Sequence, residues 1–286
     1  MKPFKDDEVV AAFTEFNITL PDCGSGAAKT VYLASRDSQD LALKILHDPV
    51  PDGAVEYNES LASERFIREL RALQETDCPH VIRVLDMPEL RLIGTSTHIW
   101  YTEPFLGGGT LHQRLKASKT LSSTDLEVLA RGMLLAIEAM WTQGRYVHRD
   151  IKPKNIGYQV NGTPVLMDFG IALFTEMTDL TSASLAGPGT SKYAAPEQFQ
   201  PRRDSFIDFR TDMFQLGIVL AESATGRHPF WGASDYMNAL YNFDPKFLDG
   251  AGISTGLLEL ISRLLQGHQS RRFRTVKMAL DTLDGA

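Results

Sequence analysis

Cysteine is nearly missing from this chain of 286 residues, where only Cys23 and Cys78 occur. Two thiols cannot build a disulfide framework, so a reducing compartment is expected. Cys78 lies two residues before His80. A zinc site needs a second pair of soft ligands, and none accompanies them, so both are read as structural. Long apolar runs are also absent. No stretch approaches the roughly 20 apolar residues of a membrane span, and the opening MKPFKDDEVV is charged, unlike a secretory signal. Nor is there an excess of positive charge: 29 Lys and Arg stand against 36 Asp and Glu, a net −7. That balance excludes nucleic-acid or membrane binding driven by bulk charge. No internal repeat or low-complexity tract occurs. The expectation is therefore a cytoplasmic protein, with neither nucleic acid nor membrane as partner.

What is present is an ordinary globular composition, 43% hydrophobic and 23% charged, on a chain long enough for one large domain or two lobes. The first hundred residues carry apolar runs of strand length: TVYLA (30–34), LALKIL (41–46), VIRVLD (81–86), RLIG (91–94) and HIWYTE (98–103). One helical stretch, about 60–75, interrupts them. EPFLGGGTL (103–111) reads as a linker, because three consecutive glycines hold regular structure poorly. Helical spacing then dominates, at 124–144 with Gly144 as an expected C-cap, at 212–226, and near 254–266 and 275–284. The pattern predicts a small strand-rich lobe and a larger helical lobe.

Several motifs carry chemistry. In CGSGAAKTV (23–31), Gly24 and Gly26 let the backbone approach phosphate oxygens and offer N–H donors; a simple turn uses glycine the same way. This is not a Walker A loop. In LALK (41–44), strand alternation puts Ala42 and Lys44 on one face. Such a lysine either snorkels at an edge or meets a ligand. Buried, it needs an anion. Glu69 points toward the stripe formed by Phe66, Leu70 and Leu73, whereas Glu64 shares a charged face with Arg68, Arg71 and Glu75. Glu69 is therefore the expected partner of Lys44.

HRDIKPKN (148–155) crowds an acid, a lysine and an amide into one loop. Asp150 can accept a hydroxyl proton, Lys152 can offset charge on a phosphoryl group, and the amide oxygen of Asn155 can bind a metal. Pro153 keeps the segment from becoming a helix. Eighteen residues after Asp150, at the end of a strand-like TPVLM, Asp168 supplies a hard oxygen suited to Mg²⁺. Two unrelated surface loops would explain either motif alone, but not both in this order.

Taken together, these motifs resemble the eukaryotic-type (Hanks-type) protein Ser/Thr kinases, in the style of their bacterial members, collinearly over about 13–283. The resemblance implies an α+β bilobal fold in one kinase domain over 1–286. An antiparallel β-sheet N-lobe with one main helix (about 10–103) would be joined through a hinge (about 103–109) to a mostly helical C-lobe (about 110–286). It implies ATP and Mg²⁺, with Mn²⁺ an alternative, and a glycine-rich loop at 24–31. Lys44 would anchor phosphate, Glu69 would pair with it, Asp150 would be the base, and Asn155 and Asp168 would hold metal. Val31 and Ala42 would roof the adenine, Glu103 and Phe105 would pair with it through their backbones, and Thr102 would stand at the gatekeeper position. Gly157 falls on the pocket floor, where Met167 refills the space, and bulky ATP-site inhibitors are expected to fit.

Further along, AAPE (194–197) closes the activation segment, Glu197 pairs with Arg272, and Asp212 braces the catalytic loop. Lys152, Pro153 and a docking loop containing Thr190 imply Ser or Thr on protein substrates. Arg149 suits a phosphate on the segment 174–190, with Ser182 and Ser184 nearest the usual positions among its Thr178, Thr181, Ser182 and Ser184. Leu173 stands where relatives often carry a second arginine. Two further departures are Lys29 in place of a third glycine, and LGGGT where a ribose-binding carboxylate usually lies. Two other readings remain: a pseudokinase scaffold, which would need a missing catalytic part, and a kinase of a small-molecule hydroxyl, against which the docking loop argues. With no further domain in evidence, regulation is expected from autophosphorylation, a partner or expression. Oligomeric state is left open.

Overall fold

Alternation of apolar residues in the first hundred positions builds a five-stranded antiparallel sheet: β1 (Asn17–Ser25), β2 (Lys29–Arg36), β3 (Gln39–Leu46), β4 (Glu89–Ile93) and β5 (Ser96–Pro104), in the order β1-β2-β3-β5-β4. These elements come from a computed structural model describing residues 2–26, 29–50, 76–168, 191–199 and 207–285. The helix expected at 60–75 lies outside the described residues. The run at 81–86 is not a strand. Val81 forms one bridge to Leu166, while Leu85 N–H donates to Thr102 O (2.9 Å).

Helix α1 (Asp6–Ala12), which the sequence reading did not anticipate, covers one face of the sheet. Val9 and Phe13 are fully buried, and with Phe4 and Phe16 they pack on Tyr32, Ala34, Leu41, Leu43, Ile45 and Trp100. Each such side chain contributes roughly 1.5–3 kcal/mol by leaving water. Arg91 fixes the end of α1 by donating to Ala12 O (2.8 Å) while its guanidinium lies over Phe13 and Trp100.

The chain divides into two compact units. The sheet and α1 form the strand unit, with residues 82–105. The helical unit takes 76–81 and the described residues from 106 onward. It contains α2 (Leu111–Ser118), α3 (Ser123–Gly144), the hairpin β6 (Ile156–Tyr158) and β7 (Pro164–Leu166), α4 (Phe209–Thr225), α5 (Tyr236–Tyr241), α6 (Thr255–Leu264) and α7 (Val276–Leu283).

Helix α4 is buried along most of its length and packs against α3 and α6. Gly217 permits the second contact, since a Cβ there would meet Leu264 and Leu265 at 2.9 Å. Asp208 caps α4 through Arg210 N–H, and Gly226 ends it in a left-handed conformation. For α3 the left-handed residue is Arg145 (φ 54°), one beyond the expected Gly144. Among the described residues no helix is long and apolar enough to cross a membrane.

Candidate active site

Catalytic-loop residues come together within the helical unit. Asp150 accepts both Lys152 Nζ contacts (2.9 and 2.7 Å) and one from Asn155 Nδ2 (2.9 Å). Nδ2 of Asn155 also donates to Asp150 O (2.9 Å), so its amide NH₂ is committed to Asp150 and Oδ1 is the atom suited to a cation. Pro153 opens a single 3-10 turn over Pro153–Asn155, which aims these side chains at one another.

His148 ties this loop to the strand that carries Asp168. Its Nδ1 accepts Asp150 N–H (3.3 Å) and its Nε2 donates to Met167 O (2.9 Å), the tautomer of a neutral ring. Burial holds His148 below the usual imidazole range. Met167 N–H in turn donates to Asn155 O (2.8 Å). Arg149 (φ 66°) and Asp168 (φ 65°) both adopt left-handed backbone, a cost of order 1–3 kcal/mol at each non-glycine residue, held by surrounding bonds.

Those bonds start from Asp212, which is fully buried and accepts the N–H groups of His148 and Arg149 at 2.8 Å each. Burial pushes its carboxyl up to about 7 against the pull of those two donors. Two glutamines missed in the sequence complete the brace. Gln215 accepts Ile151 N–H (2.8 Å) and donates to Arg149 O (2.7 Å); Gln198 donates to the same oxygen (2.9 Å). The available signal was Gln215 itself, an amide within the apolar run DMFQLG. Behind them, Arg272 reaches Glu197 through both terminal nitrogens (2.7 and 3.0 Å).

In the strand unit, Val31, Ala42 and Lys44 share the face opposite α1. Val31 registers with Lys44, and Lys44 with Tyr101. Thr102 does not share it. It registers with Leu43, on the α1 side, and its hydroxyl donates to Asp86 (2.5 Å). The residue of β5 on the lysine's face is Glu103, opposite Ala42, and its carboxylate meets Lys44 Nζ at 2.5 Å. Thr102, expected at the gatekeeper position, thus lies on the Leu43 side of the sheet in this register. Phe105 N–H donates to Asp40 O (3.2 Å). Gly24 has open space where a Cβ would stand, while Gly26 N–H is taken by Lys29 O (2.9 Å).

At Gly157 an added Cβ would meet Leu106 at 2.5 Å and the Met167 sulfur at 2.7 Å, so two side chains already occupy the space expected for bulky inhibitors. Cys78 is buried, and His80 Nδ1 pairs with Pro164 O (2.8 Å). Among the described residues no cluster of three His, Cys, Asp or Glu could hold a metal. Glu69, Ser182, Ser184 and Thr190 lie outside the described residues.

A loop of acid, lysine and amide, braced by a buried aspartate and followed by a strand-end aspartate, is the signature of one class: the chain belongs to the protein kinase family, whose protein kinase domain matches residues 19–282. Among curated proteins it is similar to the DNA damage-responsive serine/threonine-protein kinase RqkA of Deinococcus radiodurans, 30% identical over 259 residues, covering 87% of this chain and 36% of that one. It is similar also to the serine/threonine-protein kinase PknA of Corynebacterium glutamicum, 30% identical over 258 residues, covering 87% and 52%. This chain thus spans about a third to a half of the relatives' length. The crystal structure of Rad53 1-466 in complex with AMP-PNP shares the fold, with a TM-score of 0.70 at 24% identity, covering 94% of this chain and 65% of that one.

Proposed function

We propose that this chain is a protein serine/threonine kinase that moves the γ-phosphoryl of ATP to Ser or Thr hydroxyls of proteins, its own segment 174–190 included. The observation that carries the reading is Asp150, gripped by Lys152 and Asn155 in a loop whose backbone is fixed by Asp212, Gln198 and Gln215. The named relatives are serine/threonine kinases, which supports the acceptor class.

Phosphoryl transfer asks little covalent work of a protein and much positioning. Asp150 orients the acceptor hydroxyl and takes its proton. Lys152, beside it, offsets phosphoryl charge. Lys44 is assigned to the nucleotide's phosphates, with Val31 and Ala42 facing the adenine. The donor set fits a magnesium ion: one carboxylate (Asp168) and one amide oxygen (Asn155 Oδ1), the sparse protein ligation this cation accepts when phosphates and waters complete its shell. Bound there, Mg²⁺ or Mn²⁺ would neutralise phosphate charge.

The test compares wild type with Asp150→Asn for label transfer from ATP to a generic basic protein, and maps phosphate on the chain by mass spectrometry. The variant is expected to lose about 10²–10⁴-fold in rate, with wild type alone phosphorylated within 174–190. Absence of transfer by either protein would favour a scaffold. Transfer to hydroxyl metabolites in place of protein would favour a small-molecule kinase.

A further inference from the structure

From sequence alone, Glu103 has a role only for its backbone, and Glu69 is the carboxylate expected near Lys44. The structure places a carboxylate of the sheet itself there. Lys44 Nζ and Glu103 Oε2 are 2.5 Å apart, and each side chain is only 5% exposed. The ammonium also sits 5.7 Å from the centre of the Tyr101 ring, on the cation-attracting face. Tyr101 is the register partner of Lys44, and Glu103 lies two residues farther along the same strand. The contact is thus a diagonal cross-strand pair, within reach of two long side chains. The residue directly opposite Glu103 is Ala42, whose single methyl leaves room for the carboxylate to turn toward Lys44.

Placing two charges here is costly. A buried ion pair is often no more stable than two apolar residues of similar volume, so packing alone gives no reason to keep it. The other face of the same strands shows the apolar solution, with Leu41, Leu43 and Ile45 under α1. On the lysine's face the sheet instead spends an acid to hold an ammonium in one direction.

We infer that Glu103 is a positioning residue, which aims Lys44 from the neighbouring strand, so that the lysine's direction is built into the β3–β5 register. This rests on the assignment of Lys44 to the nucleotide phosphates. Two measurements test it separately from that assignment. The first is a thermal-denaturation cycle. Lys44→Met and Glu103→Met each strand one buried charge and lower Tm by about 10 °C, and the double variant loses clearly less than the sum. Strict additivity would overturn the pair. The second is kinetic. Glu103→Gln raises KM for ATP about tenfold, a change in ground-state nucleotide binding, and leaves KM for the protein acceptor unchanged. An unaltered ATP KM, or an equal rise in both constants, would overturn the positioning role. If Asp150→Asn retains transfer, the catalytic assignment fails while the Tm cycle still reports on the pair.

Discussion

Arg272 in the helical unit and Lys44 in the strand unit are both sealed from water, at 1% and 4% exposure, but they are held differently. Arg272 is spent on protein: Nε donates to Gln266 O, and the terminal nitrogens to Glu197, Arg210 O and Gly267 O. Those five bonds match the five donors of a guanidinium. It also stacks over Phe214, 4.6 Å from the ring centre. Lys44 is a compact ammonium against Glu103 and the Tyr101 ring. A rigid fork with every donor placed is an anchor. A point charge on a flexible stem can keep one contact while making another. The helical unit therefore uses buried charge to fix backbone, whereas in the strand unit buried charge joins two side chains of neighbouring strands.

The comparison is sharpened first at Arg272. Arg272→Lys keeps the charge but loses the fork, leaving Glu197 and several carbonyls short of donors. The expected loss is about 3–5 kcal/mol, read as a lowered urea midpoint with unchanged slope. A loss below about 1 kcal/mol would show that charge alone suffices, and the contrast with Lys44 would vanish.

Acid probes the helical unit next. Burial pulls His228 down to about 4, and its Nδ1 accepts the N–H groups of Phe230 and Trp231. Between about 6.5 and 4 the unfolded chain binds the extra proton at His228, so this residue's contribution falls as pH falls. Asp212, pushed up to about 7, acts with opposite sign: the folded state binds the extra proton between 7 and 3.8, which favours folding as pH falls. The two partly cancel in wild type. His228→Asn removes one of them, so the stability of the variant relative to wild type should rise by up to about 3 kcal/mol from pH 7 to pH 4. A pH-independent difference in urea denaturation would show that His228 is not the acid-sensitive group.

The smallest effect is expected at the exposed pair Arg131–Asp284, where the side chains are 46% and 50% accessible. Arg131→Ala should cost less than about 1 kcal/mol, because solvent screens the pair and ordering its side chains costs entropy. A larger loss in the same denaturation assay would mean that exposure is a poor guide to which charges matter here.

Much of the site was legible because its chemistry is local. Asp150, Lys152 and Asn155 lie within six positions and could only converge from a loop, and Pro153 marked that loop. The strands from 30 to 46 were legible from alternation. What failed was register. Side chains on a strand alternate with period two, and the gatekeeper position expected of Thr102 comes from resemblance, not from pairing, whereas the β3–β5 register sets Glu103 and not Thr102 on the face of Lys44. Gln198 and Gln215 escaped notice because their partners are backbone atoms 49 and 66 positions away, which no local pattern encodes. Helix α1 was missed for a related reason: seven residues carry too little periodicity to stand out before their sheet is known.

That short helix has a practical consequence. The protein kinase domain match begins at residue 19, but the strand unit's hydrophobic interior begins at Phe4. A polypeptide trimmed to the homologous span would lose the lid over Tyr32, Leu43 and Trp100 and expose an oily slab to its neighbours in solution. Anyone expressing this protein should choose its boundary by what the sheet rests on, since the matched domain alone draws the line fifteen residues too late.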